Sequence, residues 1–405
     1  MSTPTAPQPS WRQLGEHAVS PRATHDEVAR FDFLMRLNLH LSQAVLPGVK
    51  QAYETRVKPA FEAVHGREPA DRHEVRRAMQ KDLHYQLWSA LRRNTMEQRQ
   101  QAGRSVVYRQ LGELRAKADS LNEGAETLQL DASITSPRYA TAVDIHCMPG
   151  NYHTEEVARD IGAGANYDAG LFVTTAGALG SYSDGGGQAL VEWLKKTYPD
   201  FKPRRILDIG CTIGHNAVPL AQAFPDAQVV AIDTAAPVLR YGHARARSLG
   251  VNNIEFRQAA GEAVPAADGE FDLVTTAMFW HETSSRAMPK IMKEVHRVLA
   301  PGGMTLHLEQ PQYAGMAPFE AFMRDWDAYN NNEPFWTAMH EFDLDALMVQ
   351  SGFPVGAYFE TSMQAKVDRR LFPAPTGSEA GSQEDYGRTP RWTAFGARKP
   401  EELSQ

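Results

Sequence analysis

Apolar positions along this chain follow two rhythms, and the change from one to the other divides it. From Arg205 onward, short apolar runs of strand length alternate with amphipathic stretches of helix length. The runs at 205–209, 228–232, 254–258, 271–277 and 303–309 read as strands, and 216–224, 235–249 and 286–299 as helices between them. A run such as Val229-Val-Ala-Ile232 has no polar face, which suits a strand covered on both sides. The alternation therefore predicts an α/β fold, a Rossmann-like doubly wound, mostly parallel sheet with helices on both faces. A helix over 342–351 is expected to end at Gly352. The last strands fall at 355–360 and 391–398, with a Pro- and Gly-rich flexible excursion at 371–389 between them.

The first part of the chain has a helical rhythm instead. Residues 1–24 are rich in Pro, Ser, Thr and Gln and read as a disordered tail. Asp26 can then cap a helix carrying Phe33, Leu34, Leu37, Leu41 and Val45 at three- and four-residue spacing. A second set, Met79, Leu83, Leu87 and Leu91 with Trp88 alongside, and a third over Val106–Ala118, complete an all-helical cap or dimerisation module over 25–127. Over 128–184 the pattern breaks down into glycine- and aromatic-containing segments, expected to form a loop-rich connection near the active site. Residues 185–405 are the α/β domain, entered through a helix at 188–198.

Composition narrows the class. With 42% hydrophobic and 22% charged residues among 405, the chain reads as a globular protein of two domains. It shows no membrane-span-length apolar run and no signal-peptide core, so a cytoplasmic location is expected. Cys147 and Cys211 are its two cysteines, too few for a disulfide framework or a cysteine metal cluster. The net charge of −7 gives no reason to expect nucleic acid or a membrane as partner. Residues 1–120, however, hold 19 basic and 13 acidic side chains, leaving −13 on the remainder. That excess is either a solvated helical surface or a face for an acidic partner.

The most telling stretch is Arg205-Ile-Leu-Asp-Ile-Gly-Cys-Thr-Ile-Gly-His-Asn216. A strand, a turn with Gly210 and Gly214, and a helix N-terminus make a nucleotide site at the carboxyl edge of an open α/β sheet. The glycines are expected where a backbone passes close to a ligand. The spacing is G-x-x-x-G rather than G-x-G-x-x-G, and Asp208 just before it would repel a pyrophosphate. Asp233 ends the next strand, where a carboxylate accepts ribose hydroxyls. Ribose plus ammonium without phosphate describes S-adenosylmethionine better than NAD.

Arg205–Ala217, Val229–Asp233, Phe271–Val274 and Val295–Gly303 together resemble the ordered motifs of class I S-adenosylmethionine-dependent methyltransferases, nearest to the ubiquinone/menaquinone-biosynthesis type. The resemblance covers roughly residues 180–400. It implies that Asp208, Gly210 and Gly214 hold the methionine part of the cofactor. It also implies Asp233 and Thr234 at the ribose, Gly261 and Glu262 at the adenine edge, and Ala277 closing over the methionine part. Ala260 departs from the pattern, since many relatives place an Asp there. The resemblance further implies that the two last strands pair antiparallel at the sheet edge.

Acceptor chemistry is less constrained, because transfer from a sulfonium needs alignment and a dry pocket more than strong catalytic groups. His281 and Glu282 follow the fourth strand at the active edge. His281 is read either as a general base titrating near the ordinary value of about 6.5 or as a histidine that fastens the loop. His307 and Glu309 share a face of the following strand. His146, Tyr152 and His153 precede the core and, with Tyr329 and Trp336, are the candidate acceptor-binding residues. The spacing of His146, Cys147 and His153 matches no standard metal site, so no metal is expected. The aromatic segment Trp326–His340 reads as a lid over the acceptor or as a satellite core against the N-terminal helices. The expected activity is methyl transfer to a small-molecule acceptor. The alternatives are methylation of a protein or nucleic acid docked on the basic N-terminal module, or a non-catalytic cofactor-binding protein; a homodimer would use the helical module.

Overall fold

The computed structural model describes residues 9–367 and 391–401; the expected excursion at 371–389 lies outside the described residues. The helical part opens with α1 (His25–His40), α2 (Leu46–Ala52) and α3 (Lys58–His65). They form one path interrupted by π-type turns at Leu41–Val45 and Tyr53–Val57, just ahead of Pro47 and Pro59. Proline lacks an N–H and collides with the carbonyl one turn earlier, and a widened turn relieves both faults. The cap of α1 is Thr24, not Asp26: its hydroxyl accepts from the Glu27 amide while the Glu27 carboxylate accepts from the Thr24 amide. α4 (Arg72–Met79), α5 (Leu83–Arg109) and α6 (Leu111–Asn122) follow.

Two expectations about this part are corrected. Leu83 and Leu87 are 79% and 57% exposed. The buried face of α5 instead carries Tyr85, Trp88, Arg92, Thr95, Met96 and Arg99. Leucine spacing alone therefore chose the wrong face, because the buried face includes Arg92, which meets Asp327 from later in the chain. The N-terminal segment is also packed from Ser10 onward. Trp11 stacks on Phe31 at 4.3 Å and Val19 is fully buried.

β1 (Leu128–Gln129) and α7 (Arg138–Thr141) lead into α8 (Gly162–Thr174) and α9 (Gly185–Thr197). α8 occupies the region read as loop. It is buried almost all round, so it has no amphipathic stripe to detect. Its glycines permit close packing: a Cβ on Gly164 would lie 2.6 Å from Tyr241 Cβ.

The core then alternates β2 (Arg205–Ile209), α10 (Ala217–Ala223), β3 (Gln228–Asp233), α11 (Ala236–Ser248), β4 (Ile254–Gln258), β5 (Phe271–Ala277), α12 (Met288–Val298) and β6 (Leu299–Glu309). α13 (Pro318–Arg324), α14 (Trp326–Asn330), α15 (Trp336–Glu341), α16 (Leu344–Gln350), β7 (Tyr358–Gln364) and β8 (Arg391–Arg398) complete it. The eight strands run in the order β1-β4-β3-β2-β5-β6-β8-β7. All pairs from β1 to β6 are parallel, and β8 pairs antiparallel with both β6 and β7. Val230 and Val274 flank Leu207 in register, so β2 lies at the centre with both faces covered. Among the described residues no helix is long and apolar enough to cross a membrane.

Helical cap and α/β domain meet along two fronts. α5 packs on α8 and α8 on α11. Farther on, Phe322 and Trp326 join Val49, Tyr53, Val75, Tyr85 and Trp88 in one buried cluster. Beside it, Arg76 donates to Asp325 Oδ2 at 2.6 Å, both side chains being nearly or fully buried. Breaking a buried pair leaves one charge without compensation. Asp325→Ala is expected to cost about 3–5 kcal/mol, read as a lowered midpoint in urea unfolding; a change under about 1 kcal/mol would show the pair to be energetically idle.

Candidate active site

β2 and β3 set the first half of the site. At the end of β2 the amides of Gly210 and Cys211 both donate to Ile232 O, at 2.9 and 3.0 Å, which turns the chain toward β3. Gly210, Thr212 and Gly214 all have positive φ. A Cβ on Gly210 would collide with the edge of the Phe279 ring, and one on Gly214 would lie 3.0 Å from Phe256. The need for glycine thus comes from left-handed backbone and from rings packed over the loop, rather than from a ligand. Gly187, at the start of α9, lets that helix approach within a Cβ radius of Asn216 and the His215 carbonyl.

Two carboxylates stand at the strand ends. Asp233 accepts from the amides of Thr212 and Ala235 at 3.0 and 2.9 Å. Asp208 accepts from Asn216 Nδ2 at 2.7 Å and Thr275 Oγ1 at 2.8 Å. Burial pushes both up to about 6. Among the described residues no cation pairs with either one. Buried acids without a counter-charge are what a cationic, hydroxyl-bearing ligand would satisfy.

The cavity in front of them encloses about 250 Å³. Asp208, Gly210, Asp233, Thr234, Gly261, Glu262 and Ala277 all line it; Gly214 does not, and serves the turn behind it. Glu262 accepts a hydrogen bond from Tyr139 on α7 at 2.8 Å. Cys211 is buried with its thiol raised far above the ordinary range by desolvation, so it is chemically quiet.

His146, His281 and Glu282 line the second half of the cavity and belong to a chain of alternating glutamates and histidines. His146 Nε2 donates to Glu282 Oε1 at 2.9 Å, and its Nδ1 lies 3.1 Å from Glu333 Oε1. His281 Nδ1 lies 2.7 Å from Glu309 Oε1 and its Nε2 3.6 Å from Glu333 Oε2. Tyr152 donates to Glu282 Oε1 at 3.2 Å. Burial would lower both imidazoles, but the facing carboxylates dominate, raising His281 to about 9 and His146 to about 10. Both are therefore imidazolium at neutral pH, and His281 has no proton vacancy there, contrary to a base titrating near 6.5. His307 is a satisfied core histidine between Thr276 and Thr305, pushed down to about 3 by burial.

Of the acceptor candidates, His146, Tyr152, His153 and Trp336 line the cavity. Tyr329 does not: it is 58% exposed, with Arg76 over its ring at 3.6 Å. The segment Trp326–His340 divides its roles, Trp326 joining the cap's core while Trp336 packs 4.7 Å from His281. Sequence reading missed Glu333, whose only signal was an acid after Asn330-Asn-Asn332. It also missed Met96, Arg99 and Gln100 of α5, which bring the cap to the cavity wall.

Comparison with known proteins bears on the family. Residues 206–303 match the family described as "Methyltransferase domain". Demethylmenaquinone methyltransferase of Thermus thermophilus is 38% identical over 109 residues, covering 27% of this chain and 48% of that protein. An uncharacterized methyltransferase of Synechocystis is 33% identical over 155 residues, covering 38% of this chain and 68% of the relative. A solved S-adenosylmethionine-dependent methyltransferase of Aquifex aeolicus aligns with a TM-score of 0.30 and 17% identity, over 48% of this chain and 80% of its own. The chain spans about half the length of the demethylmenaquinone methyltransferases it matches, 48% and 47% in two of them. It belongs to the class I S-adenosylmethionine-dependent methyltransferases. Several of its relatives are named demethylmenaquinone or ubiquinone/menaquinone-biosynthesis methyltransferases. S-adenosylmethionine is its cofactor, and the uncompensated Asp208 and Asp233 fit that cation.

Two pH effects follow. Cofactor affinity is expected to fall as pH drops below about 6, because Asp208 and Asp233 protonate there; the loss should approach about tenfold per pH unit for each of the two carboxylates that must stay ionised in calorimetric titrations, and a flat profile would contradict it. His281 and His146 have folded values above the unfolded one, so their contribution to stability is complete below about 6.5 and lost as pH rises through about 9 to 10. Urea midpoints of the wild type should decline over that window, and His281→Gln should flatten the decline.

Proposed function

We propose that this protein transfers the methyl group of S-adenosylmethionine to a small acceptor held in the cavity between the sheet edge and the helical cap. The observation that carries the reading is the coexistence, in one cavity, of uncompensated Asp208 and Asp233 with the Glu282–His146 pair. Bound, the cofactor supplies an electrophilic methyl group on a sulfonium. Asp208 and Asp233 hold its ammonium and ribose, and β5, ending at Ala277, closes one side. Tyr139, Tyr167, Phe279 and Trp336 give the acceptor an aromatic, water-poor surround.

Glu282 is the proposed acceptor-side group. Its Oε1 is occupied by His146 and Tyr152, while Oε2 meets no protein donor among the described residues. That oxygen can take a proton from a protic acceptor as the new bond to carbon forms. His281, held protonated by Glu309, is proposed to fix the charge and geometry of the glutamate–histidine chain rather than to accept the proton.

Burial of the cap's arginines favours a small acceptor over a docked macromolecule. Arg76 and Arg92 face Asp325 and Asp327 inside the protein, and Arg72 and Arg104 pair with Glu341 and Glu156 beyond residue 120. Much of the basic excess is thereby spent within the fold. Glu282→Gln keeps the shape and removes the proton acceptor. Turnover should fall by roughly 10²–10⁴ on an acceptor that must lose a proton, with cofactor affinity unchanged. Wild-type rate in that variant, or methylation of protein and nucleic acid but of no small acceptor, would overturn the reading.

A further inference from the structure

Away from the transfer chemistry, one buried carboxylate collects groups from three other segments. Asp168, on α8, has a side chain only 4% exposed. Its Oδ2 lies 3.0 Å from His17 Nε2 and accepts from Tyr241 OH at 2.8 Å; Oδ1 lies 3.2 Å from His215 Nε2. Arg245 Nε stands 3.7 Å away. Burial alone would raise this carboxyl, but the bonds from His17 and His215 and the charge of Arg245 hold it well below the usual range. It is therefore an ionised, multiply bonded hub.

Two of its partners matter for the cofactor. His215 belongs to the glycine loop, and the next residue, Asn216, donates to Asp208 Oδ1 at 2.7 Å. His17 comes from the N-terminal segment, with a side chain 1% exposed. That segment is laid across the domain at several points. Gly15 N donates to Ser181 O and Ala18 N to Ser248 Oγ, both at 2.8 Å. Val19 shares a buried cluster with Ile213 of the cofactor loop.

We propose that the N-terminal segment acts as a strap for the cofactor loop, with His17 and Asp168 as its positioning residues. Their order of action is His17 to Asp168, then to His215 and Asn216, and so to Asp208. The physical basis is that a loop with three positive-φ residues needs outside contacts to stay in one conformation. Neither residue touches the cofactor, and both act through the His215–Asn216 pair. The proposal rests on the reading of that loop as the cofactor site.

The test uses the full chain with His17→Ala, His17→Gln and Asp168→Asn. Titration with S-adenosylmethionine should show affinity weakened about tenfold or more in His17→Ala and Asp168→Asn. Hydrogen exchange should quicken at residues 210–216, and the KM for the acceptor should stay unchanged. His17→Gln keeps a side-chain N–H donor and should recover most of the affinity. Should His17→Ala fail to fold, His17→Asn, whose shorter amide falls away from Asp168, replaces it with the same expectation. A lowered melting temperature with unchanged cofactor affinity and unchanged exchange at 210–216 would overturn the proposal and leave a purely structural contact. Absence of cofactor binding in the wild type would instead overturn the reading of the site, and this proposal with it.

Discussion

Acids without counter-charges at one edge of a parallel sheet are the constraint around which this molecule is arranged. Parallel strands deliver all their carboxyl ends to the same side. Here β2 brings Asp208 close to that end, β3 ends in Asp233 and β6 in Glu309, while Glu282 follows just beyond β5. Burial of so much negative charge is unfavourable unless something answers it. The molecule answers in two ways. On the acceptor side His146 and His281 take up protons and neutralise Glu282, Glu309 and Glu333 in part. On the cofactor side amides, Asn216 and Thr275 satisfy the oxygens without cancelling the charge, which is left for a cation.

The helical cap makes that edge a closed site. Without it the carboxyl edge would face water, where the same electrostatic interactions are several-fold weaker. Its attachment is electrostatic as well as apolar. Arg72 and Arg76 reach Asp325, and the indole of Trp326 donates to Ser89 at 2.8 Å. The opposite charge balance of the two parts is thus visible as contacts, and the cap presents Met96, Arg99 and Gln100 to the cavity.

Positive-φ residues other than glycine gather around the same cavity: His146, Ser183, Thr212 and Met278 all line it. Such backbone costs on the order of 1–3 kcal/mol per residue and persists where surrounding contacts over-determine it. The ion pairs of His146, the loop contacts around Asp168 and the bond from Met278 N to Leu308 O supply those contacts. The strain and the hydrogen bonding are two sides of one local arrangement.

The sequence by itself determined the α/β core. β2, β3 and β5 fall within a residue of where composition places them, because a strand covered on both faces leaves a run of apolar residues no helix would need. It also placed Asp208, Gly210 and Asp233 together at the cavity, since they lie within a few residues of strand ends whose positions are locally encoded. What tertiary structure decided was everything assembled from distant segments. Helix α8 left no periodic trace because its neighbours bury it from every side. Leu83 and Leu87 face outward on a helix whose Arg92 turns inward to Asp327, more than two hundred residues along the chain. The Glu282–His146–Glu333–His281–Glu309 chain and the convergence on Asp168 depend on which loops meet in space. Spacing along a chain records short-range geometry, whereas the pairing of charges across a fold is fixed only when the fold closes.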